Sequence, residues 1–238
     1  MFNRTTLGEV SPVLPIDFLV PAATSSKSRV CKLVAPRTQI LLRDFPRSTD
    51  FQLQDGCIAL FQSLSDGRRQ ILDILGPGSL LGLSVGNIAE CNAETLTFTQ
   101  LRPVAPLTDP AIGAALKQML RRSQALATLL GRKTAQEKVA SALLDLAERF
   151  IRPSTAPEFQ RTTFRLYLTR NDLADWLGLT LETVSRCLNS FKRSGLITFN
   201  HPEIITIADE EALRRLASGK PSLVPQKSAP DEISLQSS

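Results

Sequence analysis

At 238 residues the chain can form one large domain or two modest ones. Its 42% hydrophobic residues suffice for a core, and its 21% charged residues are ordinary for a soluble protein. A net charge of +5 and a pI near 9.3 permit a polyanionic partner. No stretch approaches the roughly 20 consecutive apolar residues of a membrane span, and no basic-then-apolar leader opens the chain, so a cytoplasmic protein with no membrane partner is expected. Cys31, Cys57, Cys91 and Cys187 are scattered without a Cys-x-x-Cys pair, and His201 is the single histidine. A structural zinc site is therefore not expected, and free thiols are.

Residues 1–29 carry Pro12, Pro15, Pro21 and a Thr-Ser-Ser-Lys-Ser run, which predict an extended, flexible arm, docked or frayed. From Val30 to about residue 108 the pattern turns β-like. Short apolar or alternating runs at 39–42, 51–53, 57–61 and 70–75 are divided by Gln54-Asp55-Gly56, Ser65-Asp66-Gly67 and Gly76-Pro77-Gly78. Asp-Gly between such runs signals hairpins, and several short strands in under a hundred residues suggest a small barrel or jelly roll.

A long helix follows from about Ala111 to Leu130, within a segment 109–133. Ile112, Leu116, Met119, Ser123, Leu126 and Leu130 recur at steps of four and three, the seam of a short coiled coil, or equally a helix packed on its own domain. Thr134 and Glu137 have capping-box spacing and start a second helix, with Val139, Leu143, Leu146 and Phe150 as its buried stripe. It ends before Pro153, where a hinge is expected. The segment 134–218 then contains the most informative stretch of the chain.

Thr169 and Asp172 form another capping box, Leu173, Trp176 and Leu177 recur at helical spacing, and Gly178 ends the helix. Thr180 caps a second helix with Val184, Leu188 and Phe191 inward and Glu182, Ser185, Arg186 and Asn189 outward. Runs at 196–199 and 204–207 around Asn-His-Pro-Glu read as a hairpin wing. Two short helices joined at a glycine, plus a wing, are the helix-turn-helix signature. Arg186 can donate two hydrogen bonds to guanine, Glu182 can accept from the cytosine amino group, and Ser185 suits either neighbour. Arg170, Thr180, Thr183 and Asn189 are candidates for phosphate contacts that set register. From 161 to 201, six basic residues (161, 165, 170, 186, 192, 193) outnumber three acidic ones (172, 175, 182), which supports this reading. Asp209 caps a last helix through Ala217, and 219–238, rich in Gly, Pro, Ser and Lys, is predicted to be disordered.

Leu179-Thr180-Leu181-Glu182-Thr183-Val184-Ser185-Arg186, with DLADWLGLT before it and FKRSGLI after it, resembles the recognition unit of the CRP/FNR family of bacterial transcription regulators, nearest the FNR and FixK branch. The run FQLQDGCIALFQSLSDGRRQILDILGPGSLLG resembles the same family's sensor β-roll. The resemblance implies an α+β architecture: an N-terminal β-roll (30–108), a dimerisation helix (109–133) and a C-terminal winged helix-turn-helix (134–218). It further implies a homodimer on promoter DNA with a TTGAT-type palindrome, usually activating through RNA polymerase in low-oxygen or nitrogen-related programmes.

Departures from the family pattern remove two signals. Its cyclic-nucleotide pocket places a glutamate soon after the Gly-rich turn and an arginine about ten residues on. Here Gly82 is followed by Leu83 and Ser84, and 87–97 contains neither Arg nor Lys. A cyclic phosphate buried without a cation is costly. Iron–sulfur members carry an N-terminal cysteine cluster, whereas the first cysteine here is Cys31. No cofactor is expected, and haem has no positive sign. The alternative is a sensor whose β-roll binds a small effector. Without a Walker-type loop or metal cluster, and with His201 in a turn, an enzyme is not expected. Cys187, beside Arg186, is either a small apolar residue next to Val184 or a redox switch with a lowered pKa.

Overall fold

The structure, a computed structural model, describes residues 13–14, 31–40, 50–81, 92–104, 109–150, 162–201 and 203–220. Most of the predicted arm, the Gly82–Ser84 turn, the expected hinge at Pro153 and the tail beyond 220 lie outside the described residues.

The N-terminal half is a roll of two sheets. One has the order β1 (Val13–Leu14), β3 (Gln39–Ile40), β8 (Asn92–Thr95), β5 (Ile58–Ser63), β6 (Arg69–Leu75). The other runs β2 (Lys32–Val34), β9 (Thr99–Val104), β4 (Asp50–Asp55), β7 (Leu80–Leu81). Between them lie Val34, Ile40, Phe51, Leu53, Ile58, Leu75, Leu81, Ala93 and Leu101. The β5–β6 hairpin closes at the predicted Ser-Asp-Gly turn. Gly56 takes φ +104, and a Cβ there would come within 2.7 Å of the Phe98 carbonyl oxygen, so the tight approach to the β8–β9 turn requires glycine.

Residues 57–61 read as almost continuously apolar because the strand is covered on both faces. Ile58 points into the roll, whereas Cys57, Ala59 and Phe61 face the helices. The arm contributes β1, pairing parallel with β3 through Val13–Gln39 and Leu14–Ile40. Two residues show no period, and a parallel partner needs no adjacent turn, so composition alone did not indicate this strand.

Helix α1 (Asp109–Arg132) leads into α2 (Ala135–Phe150), whose capping box forms as expected: Thr134 N donates to Glu137 Oε2 at 3.1 Å, and Glu137 N to Thr134 Oγ1 at 3.4 Å. The C-terminal unit comprises α3 (Arg170–Leu177), α4 (Leu181–Arg193), α5 (Glu210–Ala217) and a three-stranded sheet, β10 (Thr162–Arg165), β12 (Ile204–Ile207), β11 (Ile197–His201). Asp209 caps α5 by accepting from Ala212 N at 2.8 Å. One continuous core runs from Phe61 and Ile71 on the roll through Leu143 and Leu146 of α2 to Trp176, Leu188 and Phe191. Packing therefore crosses from roll to reading unit without a gap.

Candidate nucleic-acid interface

Helix α3 begins at Thr169, whose Oγ1 accepts from Asp172 N at 3.1 Å while Asp172 Oδ2 accepts from Thr169 N at 2.8 Å. Two amides without helical partners are thereby satisfied. The helix ends at Gly178, in the left-handed region at φ 59 and ψ 46, with its N–H on the Ala174 carbonyl. That conformation turns the chain within two residues to Thr180, whose Oγ1 accepts from Thr183 N at 3.2 Å and starts α4. The apolar stripe Val184, Leu188 and Phe191 is buried against the shared core, as its spacing predicts.

The opposite face of α4 holds the candidate readers. Glu182 and Arg186 are 75% and 71% exposed, and Arg186 Nη2 lies 3.0 Å from Glu182 Oε1. Ser185 is half-buried between them, Asn189 is exposed one turn on, and Thr183 is half-buried. A guanidinium, a carboxylate and a hydroxyl thus occupy one solvent-facing stripe in the first two turns. Arg170, at the start of α3, stands over the Phe199 ring at 5.9 Å, and burial lowers its pKa. Lys192 Nζ lies over the same ring at 4.4 Å. Phe199 of the wing is therefore held by cations from both helices, a role that sequence reading missed; an aromatic in an alternating strand signals only packing. His201 ends β11, exposed, its Nδ1 accepting from Glu203 N at 3.3 Å.

One expectation requires correction. Cys187 is buried, and burial pushes its thiol pKa up, against a smaller lowering by the Arg186 charge. A redox switch at Cys187 needs an accessible thiolate, so its premise is not met. Within the predicted dimer seam, Leu126 and Leu130 pack on the chain's own core beside buried Leu129, and Met119, on the same face as Leu126, is half-buried. Arg122 on this side pairs with Asp73 at 2.8 Å. Periodicity reveals a stripe but not what covers it. Of the predicted seam, Leu116 is half-buried and Ser123 exposed; with Leu120, 59% exposed, and exposed Ala127 they recur at steps of four, three and four. The side chain of Ile112 lies outside the described residues. A cleft of about 340 Å³ lies between Leu96 and Thr97 of the roll and Tyr167, Thr169, Arg170 and Glu203 of the reading unit.

Sequence reading also missed what stands behind α3. Asp172, 1% exposed, accepts from Arg37 Nη1 and Nη2 at 3.1 and 2.7 Å and from Arg69 Nη2 at 2.6 Å, in addition to Thr169. Burial alone would raise its pKa. Hydrogen bonds from Arg37 and Thr169, with the Arg37 charge, outweigh that and hold the carboxyl below its ordinary value.

A β-roll joined by a long helix to a winged helix-turn-helix, whose second helix presents polar groups to solvent, defines a DNA-binding regulator. Residues 137–216 match the Crp-like helix-turn-helix domain. The nitrogen fixation regulation protein FixK of Rhizobium meliloti (strain 1021) is 32% identical over 210 residues, covering 86% of this chain and 95% of that protein. The transcriptional activator protein FnrL of Cereibacter sphaeroides is 32% identical over 169 residues, covering 65% and 66%. The structure of FixK2 from Bradyrhizobium japonicum superposes with a TM-score of 0.70 at 30% identity, covering 79% of this chain and 96% of that one. The chain belongs to the CRP/FNR family of transcription regulators, near its FixK branch. No helix among the described residues is long and apolar enough to cross a membrane.

Proposed function

We propose that the protein is a homodimeric activator that reads a TTGAT-type palindrome with Glu182, Ser185 and Arg186, in low-oxygen or nitrogen-related gene control. The observation that carries this reading is the exposed Glu182–Arg186 pair on the outward face of α4, within the first two turns of the helix. Such a pair can serve adjacent base pairs, the carboxylate a cytosine amino group and the guanidinium a guanine. Arg170, Thr180, Thr183 and Asn189 then meet phosphates and fix register.

A single reading helix covers few base pairs, so two-fold pairing supplies both affinity and specificity. The dimer seam is assigned to Leu116, Leu120, Ser123 and Ala127, because an exposed apolar side chain between small neighbours suits close helix pairing. Activation through RNA polymerase is supported by the similarity to FnrL, a transcriptional activator, and the nitrogen programme by the similarity to FixK, a nitrogen fixation regulator.

The protein acts without cyclic nucleotide or an iron–sulfur cluster. Support comes from a stretch, 87–97, lacking Arg and Lys, and from Cys57 and Cys187 enclosed in apolar core rather than converging on one site. An effector-dependent mode is favoured only by the cleft at Thr97, Tyr167 and Arg170, and calorimetry with candidate small ligands tests it. Gel-shift titration with TTGAT palindromes, repeated with cyclic AMP and with oxidant, tests the main reading: tight binding unaffected by either addition is expected.

A further inference from the structure

Strand β6 of the roll carries both ends of α3. At one end of β6, Arg69 uses three nitrogens on three carboxylates: Nη2 on Asp172 Oδ1 at 2.6 Å, Nε on Asp175 Oδ2 at 2.9 Å, and Nη1 on Glu94. Its guanidinium also lies over the Phe61 ring at 5.1 Å. Arg37 grips Asp172 from the turn before β3 and stands 3.7 Å from Glu94. Next along β6, Gln70 Nε2 donates to the Trp176 carbonyl at 3.2 Å, so both ends of α3 are tied to one strand. At the far end, Asp73 pairs with Arg122 of α1 and Arg149 of α2 at 2.8 and 3.2 Å. A Cβ at Gly76 would come within 3.0 Å of the Phe150 ring.

These contacts lie on the protein side of α3, away from the outward face of α4. Their geometric consequence nevertheless reaches the reading helix, because α3 and α4 are joined by a three-residue turn and share one core. Whatever sets α3 on the roll sets the direction of α4. In a dimer joined through α1, that direction determines how far apart, and at what rotation, the two reading helices stand.

Resting on the dimeric, palindrome-reading function above, we propose that Arg69, supported by Arg37, is a positioning residue that fixes the separation of the half-sites the protein accepts. It does so without touching DNA, by holding Asp172 and Asp175 against the roll. Three carboxylates on two elements, α3 and β8, need a planar fork; a lysine ammonium is a single point and cannot span them. Half-site spacing is a geometric property of how two reading helices are mounted. Loosening the mount therefore widens the accepted spacing while leaving each half-site's base preference intact.

The test is anisotropy titration of the full-length protein on palindromes with the preferred spacer and with spacers one base pair shorter and longer. Wild type should lose about tenfold or more on the altered spacers, because each added pair turns the half-site by roughly a tenth of a helical turn. Arg69→Gln and Arg69→Lys should both narrow that loss to about threefold or less, with unchanged discrimination against base substitutions within the half-site. Folding is checked by circular dichroism. If Arg69→Gln is unfolded, Arg37→Gln decides, since Arg69 still neutralises Asp172 there. Spacer discrimination equal to wild type in the folded variants, or a uniform loss on every spacer, would overturn the proposal, as would unfolding of both. Wild-type protein that binds no palindrome at any spacing would instead bring down the functional reading, and this role with it.

Discussion

Arg186 reaches back one helical turn to Glu182, Nη2 to Oε1 at 3.0 Å, with both side chains more than two-thirds in solvent. A pair so exposed contributes little to folding, at most about 0.5 kcal/mol. It does pre-orient a donor fork and a carboxylate on one face. Glu182→Gln should therefore leave the thermal midpoint within about 1 °C of wild type and act on DNA instead, relaxing preference at one base pair. Differential scanning fluorimetry beside a base-substituted binding series checks both halves.

Asp172 lies at the junction of capping and docking. Removing its carboxylate takes from Arg37 its hydrogen-bonded partner and from Arg69 one of three, and uncaps α3, and Asp172→Ala should cost about 3–5 kcal/mol of unfolding free energy. The sign of its pH effect follows from a folded-state pKa held below the unfolded one. Its stabilisation is complete above the ordinary aspartate value of about 3.9 and is lost as pH falls through the lower folded value. Urea melts between pH 5 and 3 should show a loss of stability that Asp172→Asn reduces.

Cys187 and Cys57 are buried and Cys31 is exposed, and burial pushes both buried thiols upward in pKa. Iodoacetamide followed by mass spectrometry should label Cys31 first and the two buried thiols only once the protein is unfolded. Peroxide should leave DNA binding unchanged.

Leu120 is a large apolar residue of α1 left in solvent. Leu120→Glu should convert a dimer to monomers in analytical ultracentrifugation while leaving the far-ultraviolet circular dichroism intact. On a palindrome the monomer should bind at least about a hundredfold more weakly, because the second reading helix no longer adds its contacts.

The helix-turn-helix was legible in the sequence because its determinants are local. Thr169 with Asp172, Gly178, Thr180 and the Val184–Leu188–Phe191 stripe all act within a few residues. The roll was legible as a hairpin where Asp66-Gly67 joins β5 to β6, but not at Asp55-Gly56, where the chain passes from one sheet to the other, nor where β1 pairs with β3, 26 residues apart. The docking of α3 left no trace, since Arg69 and Asp172 are 103 positions apart and surface arginines are the commonest kind. Which residues of α1 meet the chain's own core was not legible, because Leu126 and Leu130, half-buried against that core, share the apolar period of a dimer interface.

The most direct test of Arg186 as a base reader is the affinity of wild type and Arg186→Ala for a TTGAT palindrome and for scrambled DNA at one salt concentration. Expected is a loss of about 1–3 kcal/mol on the palindrome with scrambled binding nearly unchanged. An equal loss on both DNAs would mean that Arg186 serves the phosphates alone, and the reading of α4 as the base-contacting helix would be contradicted.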